Sequence, residues 1–204
     1  MKQKLIPKEL GSLKQKIIEE YEANSCTMSI QPVEYGSKIY SLIYETDGEF
    51  LSPFKPFEII KHSCEFYGSD YQSRRRLTKD LTNFTRKAPL VVEPINDIFF
   101  FPTASPESSV CMWFSPSLIE NYWPAPGVKT KVLFLNKQTL LFDVPYITFN
   151  KQMERTSHVK TRYLQRLERK GNKKTFYLIN KPKVVKASET QREYTNHIKT
   201  PNPK

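Results

Sequence analysis

The chain has 204 residues, 38% of them hydrophobic, enough to bury one substantial core in a principal domain with tails. Its 32 Lys+Arg against 21 Asp+Glu give a formal net charge of +11 and a pI near 9.5, a balance that points toward nucleic acid, anionic membrane or acidic partners. No run approaches the roughly eighteen apolar residues of a membrane span, and the start Met1-Lys2-Gln3-Lys4-Leu5-Ile6-Pro7 lacks the apolar stretch of a secretion signal, so a cytoplasmic, nucleic-acid-associated protein is expected.

In chain order, residues 1–22 carry Leu10, Leu13, Ile17, Ile18 and Tyr21 near helical spacing and read as an N-terminal helical extension. The period changes at Cys26. Alternation over 27–31 and β-favouring residues over 38–45, with Gly36 between them, predict a hairpin, and Asp47-Gly48 turns the chain toward a short third strand at 49–51. Pro56 opens a helix whose apolar set is Phe57, Ile59, Ile60, Cys64 and Tyr67, and Gly68 ends it. A second helix over 71–82 turns Tyr71, Leu77 and Leu81 inward and Arg74, Arg75, Arg76 and Lys79 mostly outward.

The runs at 90–94 and 98–102, joined by Ile95-Asn96-Asp97, have the continuous apolar character of buried central strands. A Ser/Pro-rich loop over 103–109 leads to a strand at 110–115, and a hairpin pairs 131–135 with 139–144 through Asn136-Lys137-Gln138. The longest helix is expected over 148–170, with Phe149, Met153, Val159, Tyr163 and Leu167 as its apolar stripe. Its other face sets seven cations (Lys151, Arg155, Lys160, Arg162, Arg166, Arg169 and Lys170) against Glu154 and Glu168. Gly171 closes it, a last strand is expected at 176–179, and the polar tail over 181–204 is too poor in large apolar groups to fold. The fold class is therefore α+β, mainly antiparallel sheet with a few helices including one long, basic C-terminal helix, and with no helix-turn-helix signature.

The three cysteines, Cys26, Cys64 and Cys111, are widely spaced in apolar contexts and read as reduced core thiols; no CxxC pair supports a zinc site with His62, so no metal or other cofactor is expected. The candidate chemistry lies in the cations. Arg74, Arg75, Arg76, Lys79, Arg86 and Lys87 form one basic segment and Arg155, Lys160, Arg162, Arg166 and Arg169 another, and both suit phosphate contacts whose affinity falls with log salt at about −0.9 per contact. With no finger, zipper or helix-turn-helix pattern, the minor groove is a serious candidate, since arginines can enter a narrow A/T-rich groove. Single-strand RNA stacking on exposed aromatics is an alternative, against which the 98–101 run reads as core. A metal-dependent nuclease built on Glu93, Asp97 and Lys87 is another, without a recognised spacing.

Several ordered motifs carry a family resemblance: His62-Ser63-Cys64-Glu65-Phe66-Tyr67-Gly68-Ser69-Asp70-Tyr71 through Arg74, Pro89-Leu90, Ile98-Phe99-Phe100-Phe101-Pro102-Thr103, Cys111-Met112-Trp113 with Ser115, and Phe149 with Gln152 and Arg155-Thr156. Together they resemble the ComK family of bacterial competence transcription factors over residues 18–180, which frames a DNA-binding domain at 23–180 with Cys64, Gly68, Tyr71 and Trp113 as structural motif positions. The resemblance implies an activator of DNA-uptake genes that binds paired A/T-rich promoter boxes through the minor groove as a homodimer or dimer of dimers, meets RNA polymerase, and is handed to an adaptor-dependent Clp protease. Asp70 and Ser73 depart from the pattern, where Ser and Gly are expected, and put an acid beside the presumed DNA face.

Overall fold

The computed structural model describes residues 17–169. Leu10 and Leu13, Gly171, the strand expected at 176–179 and the tail from 181 lie outside the described residues. The architecture is α+β and antiparallel, as expected. Strand β1 (Thr27–Tyr35) turns at Gly36, whose φ of 60° is cheap only without a side chain, into β2 (Lys38–Glu45), and Asp47-Gly48 leads to β3 (Glu49–Ser52). Helix α1 (Pro56–Phe66) begins with its proline at the first turn, where a missing amide costs nothing, and the Lys55 amide donates to Glu58 Oε2 at 2.8 Å.

Helix α2 (Tyr71–Thr82) follows after residues 67–70, then β4 (Leu90–Glu93), β5 (Ile98–Pro102) and the two-residue β6 (Trp113–Phe114). A 3-10 turn, Pro116–Leu118, introduces β7 (Ile119–Ala125), β8 (Lys129–Phe134) and β9 (Thr139–Phe142), and α3 (Tyr146–Arg169) ends the described chain.

Six strands form one sheet in the order β3-β2-β1-β6-β5-β4, and β7-β8-β9 form a second. Period-two alternation sends Ile30, Phe100 and Trp113 to one face of the larger sheet, where they pack with Ile59, Ile60 and Cys64 of α1. Met28, Phe101 and Phe114 pack on another cluster with Val132, Phe134 and Phe142 of the small sheet and Phe149 of α3. Phe149 is fully buried, with its ring edge-on to Phe101 and Phe114 at 5.3 and 5.0 Å. Residues 98–101 are covered from both sides, which is why that run is apolar without interruption.

The structure departs from the sequence reading at five points. Ile17 to Tyr21 are not helical: Ile17 bridges Leu51 in parallel, the Ile18 amide donates to Leu51 O at 2.8 Å, and buried Tyr21 donates to Glu45 Oε1 at 2.6 Å, so sheet-edge pairing and a buried phenol override the helical spacing. Of residues 110–115 only Trp113 and Phe114 are strand, because they alone pair with β1 and β5. Strand β7 was not anticipated; Pro124 and its largely exposed side chains hide its pairing with β8. Cys26 is exposed in a turn before β1, whereas Cys64 and Cys111 are the core thiols expected, with burial pushing them up to about 12 and about 11. The late helix also starts earlier, at Tyr146.

Candidate nucleic-acid interface

The site is assembled from the end of α1 onward. The Ser69 amide reaches back to Cys64 O at 3.0 Å, and Gly68 holds φ +73°, the left-handed state that ends a helix at low cost when there is no Cβ. Asp70 then caps α2, accepting the Ser73 amide at 2.9 Å and the Ser73 hydroxyl at 2.6 Å, and those bonds hold its carboxyl below the usual range. The acid expected beside the DNA face is thus a helix cap that stays exposed and ionised.

Cap and period fix which side of α2 faces solvent. Tyr71 and Thr78 are buried, Tyr71 edge-on to Phe57 at 4.8 Å with its phenol pushed up to about 12 by burial, and the Thr78 hydroxyl donating to Pro89 O at 2.8 Å. Arg75, Arg76 and Lys79 therefore stand exposed. Arg75 Nη2 donates to Thr85 O at 3.1 Å. Arg74 is placed differently: half-buried at the base of the helix, it donates to Tyr67 O at 3.2 Å, while its Nε is buried with no hydrogen-bond partner among the described residues.

Helix α3 locks the segment after α2 in place. Arg155 stacks its guanidinium 4.3 Å from the centroid of the Phe84 ring and donates to Arg86 O at 2.8 Å and Lys87 O at 3.2 Å. Gln152, buried, donates to Lys87 O at 2.9 Å and also to Pro102 O. Burial lowers the Arg155 pKa, yet a guanidinium remains charged at neutral pH. Leu77, Phe84, Val159 and Tyr163 close this junction over Val91 and Phe99, so the two basic segments meet in one packed unit.

The candidate cations thus separate by what holds them. Arg155 anchors backbone, Lys160 pairs with Asp97 Oδ1 at 2.6 Å, and Lys87 donates from Nζ to Thr103 O at 3.2 Å although its side chain is otherwise exposed. Arg75, Arg76, Lys79, Arg86, Arg162 and Arg166 are exposed. The Arg169 side chain lies outside the described residues. Exposed Asp80 is the acid nearest in sequence to this group on α2. Glu93, Asp97 and Lys87 are each engaged apart: Glu93 accepts the amides of Ile95 and Asn96 at 2.9 and 2.6 Å. Among the described residues no group of three His, Cys, Asp or Glu could hold a metal ion, and no helix is long and apolar enough to cross a membrane.

Sequence reasoning missed Phe84 as the plate under Arg155 and Gln152 as the clamp on two carbonyls. An arginine three residues after a glutamine on a basic helix gives no sign that its partners lie in a loop far back in the chain.

A cleft of about 290 Å³ runs along Arg75, Arg76 and Lys79 beside Phe84 and Thr85. A second, of about 360 Å³, takes in Arg75, Arg86 and Lys87 between Tyr71 and Ser105. Both are concave, cationic and floored in part by aromatic rings, a form that suits phosphate-bearing chains.

No solved structure matches the chain. It is 33% identical over 162 residues to the competence transcription factor of Bacillus subtilis (strain 168), an alignment covering 79% of this chain and 84% of that protein. The ComK protein family matches residues 18–168, a span that contains α1, α2, both sheets and all but the last residue of α3. The match thus covers every packed element that positions the exposed cations, and the chain belongs to the ComK family.

Proposed function

We propose that this protein is a sequence-specific DNA-binding activator of competence genes, acting on the nucleoid in the cytoplasm and reading A/T-rich duplex through the minor groove. The observation that carries the reading is the cluster of exposed cations on one packed unit: Arg75, Arg76, Lys79, Arg86, Arg162 and Arg166 are exposed, with Asp80 the acid nearest them on α2, while Asp70 caps that helix and Asp97 pairs with Lys160. The kinship with a competence transcription factor supports the regulatory role. In this reading Arg162 and Arg166 anchor phosphates, Arg75 and Arg76 supply groove contacts, and the active form is a homodimer or dimer of dimers on promoter DNA that engages RNA polymerase and is removed through an adaptor and Clp protease.

A second reading draws on α2 itself. A capped helix carrying Gln72, Arg75, Arg76 and Lys79 on its exposed side has the dimensions to enter a major groove. Titrations across A/T-rich, GC-substituted, minor-groove-blocked and major-groove-blocked duplexes at several salt concentrations separate the two. Loss of binding on minor-groove blocking supports the first; indifference to A/T content and to that blocking sinks it.

A further inference from the structure

The two cationic clefts do not end at Lys87. They share Gln72, Arg75 and Thr85 in their walls, and the second shares Phe57, Pro106 and Glu107 with a third cleft of about 330 Å³. That third cleft lies against the start of α1 and its charged lining is Lys55 and Lys61 together with Glu58 and Glu107. The three clefts thus adjoin at shared lining residues, in an order that runs from Lys79 along α2, past Arg86 and Lys87, to Pro106, Glu107 and the start of α1.

We propose that the three clefts form one trough, a single phosphodiester track, and that Lys55 and Lys61 form a second anchoring station for duplex DNA, separated from the α2 station by Glu107. The inference rests on the DNA-binding reading above. Lys61 is suited to the role because its amino group sits 4.8 Å from the centroid of the Phe57 ring, which fixes the half-buried side chain at the trough wall. Lys55 is exposed at the N-cap of α1, and its neighbour Glu58 turns its carboxylate to the Lys55 amide at 2.8 Å. Exposed Glu107 stands at the junction of the second and third clefts. A strand crossing there passes close to a like charge, so Glu107 weakens nonspecific binding and divides the track into two stations.

The test uses the full chain and an A/T-rich duplex, with the slope of log affinity against log salt as readout. K55Q/K61Q lowers the slope magnitude by about 1.8, or 0.9 for each lost contact, and lowers affinity for A/T-rich and GC-rich duplexes alike. K61R restores the Lys61 share, and thermal melting of each variant separates binding loss from unfolding. E107Q raises affinity at low salt. An unchanged slope in K55Q/K61Q, with R75Q weakened, overturns the second station and leaves the DNA-binding reading standing. Absence of duplex binding by the wild-type chain overturns both.

Discussion

Both carboxylate oxygens of Asp70 are taken by Ser73, Oδ1 by its amide at 2.9 Å and Oδ2 by its hydroxyl at 2.6 Å. The two positions that depart from the family pattern are each other's partners. The Ser73 hydroxyl is the main cause of the lowered Asp70 pKa, with the Ser73 amide next, so the folded state favours the carboxylate. Stability from this cap is therefore full above the unfolded aspartate value of about 3.9 and is lost as pH falls through the lowered folded value. D70A is expected to lower the melting temperature by a few degrees at pH 7, with the gap to wild type closing under strong acid; D70N, whose amide still caps, flattens that pH dependence. Melting curves between neutral pH and strong acid check both.

Arg155 is expected to behave as a structural residue. Its two carbonyl bonds and its stack on Phe84 contribute together about 2 kcal/mol, and R155A should lose that much in denaturant titration. R162A should leave stability within about 0.5 kcal/mol of wild type while weakening specific and nonspecific duplex binding equally. Equal destabilisation by the two substitutions would contradict the division of labour.

The Lys160–Asp97 pair is exposed on both sides, with side chains 39% and 43% accessible, so its stabilising effect is below about 1 kcal/mol. Asp97 holds a left-handed φ of 60°, which asparagine tolerates. D97N should therefore unfold close to wild type while releasing one cation. The measurable result is tighter nonspecific DNA binding and a salt slope steeper by up to about 0.9.

Thiol chemistry offers a test of the core. The chain has three cysteines, and burial raises Cys64 and Cys111 to about 12 and about 11 while Cys26 is exposed. An aromatic disulfide reagent at pH 8 should titrate one thiol quickly in the native protein and three after denaturation. The C26S variant should lose the fast phase alone.

Much of this fold is legible from local pattern. Helix α2 matches its sequence-derived bounds because a cap, an inward period and a closing Asn83 at φ 60° all agree, and β5 is readable because two layers cover residues 98–101. Ile17 to Tyr21 mislead because helical spacing there serves an extended segment pinned to Leu51 and Glu45. For the candidate interface, the sequence offers the cations but not the contacts that hold them. Arg155 and Lys160 are as basic on paper as Arg162, and only long-range contacts to residues 84–87 and to Asp97 set them apart.

The central sheet is completed by β6 alone, whose Trp113 and Phe114 pair with Ile30 and Ser29 on one side and with Pro102 and Phe101 on the other. The β1–β3 meander and the β4–β5 hairpin are each local in sequence and can form quickly, but joining them requires closing the long loop between Ile30 and Trp113. That closure carries an entropic cost before any contact rewards it. The two halves of the larger sheet are therefore joined through the backbone pairing of two residues, Trp113 and Phe114.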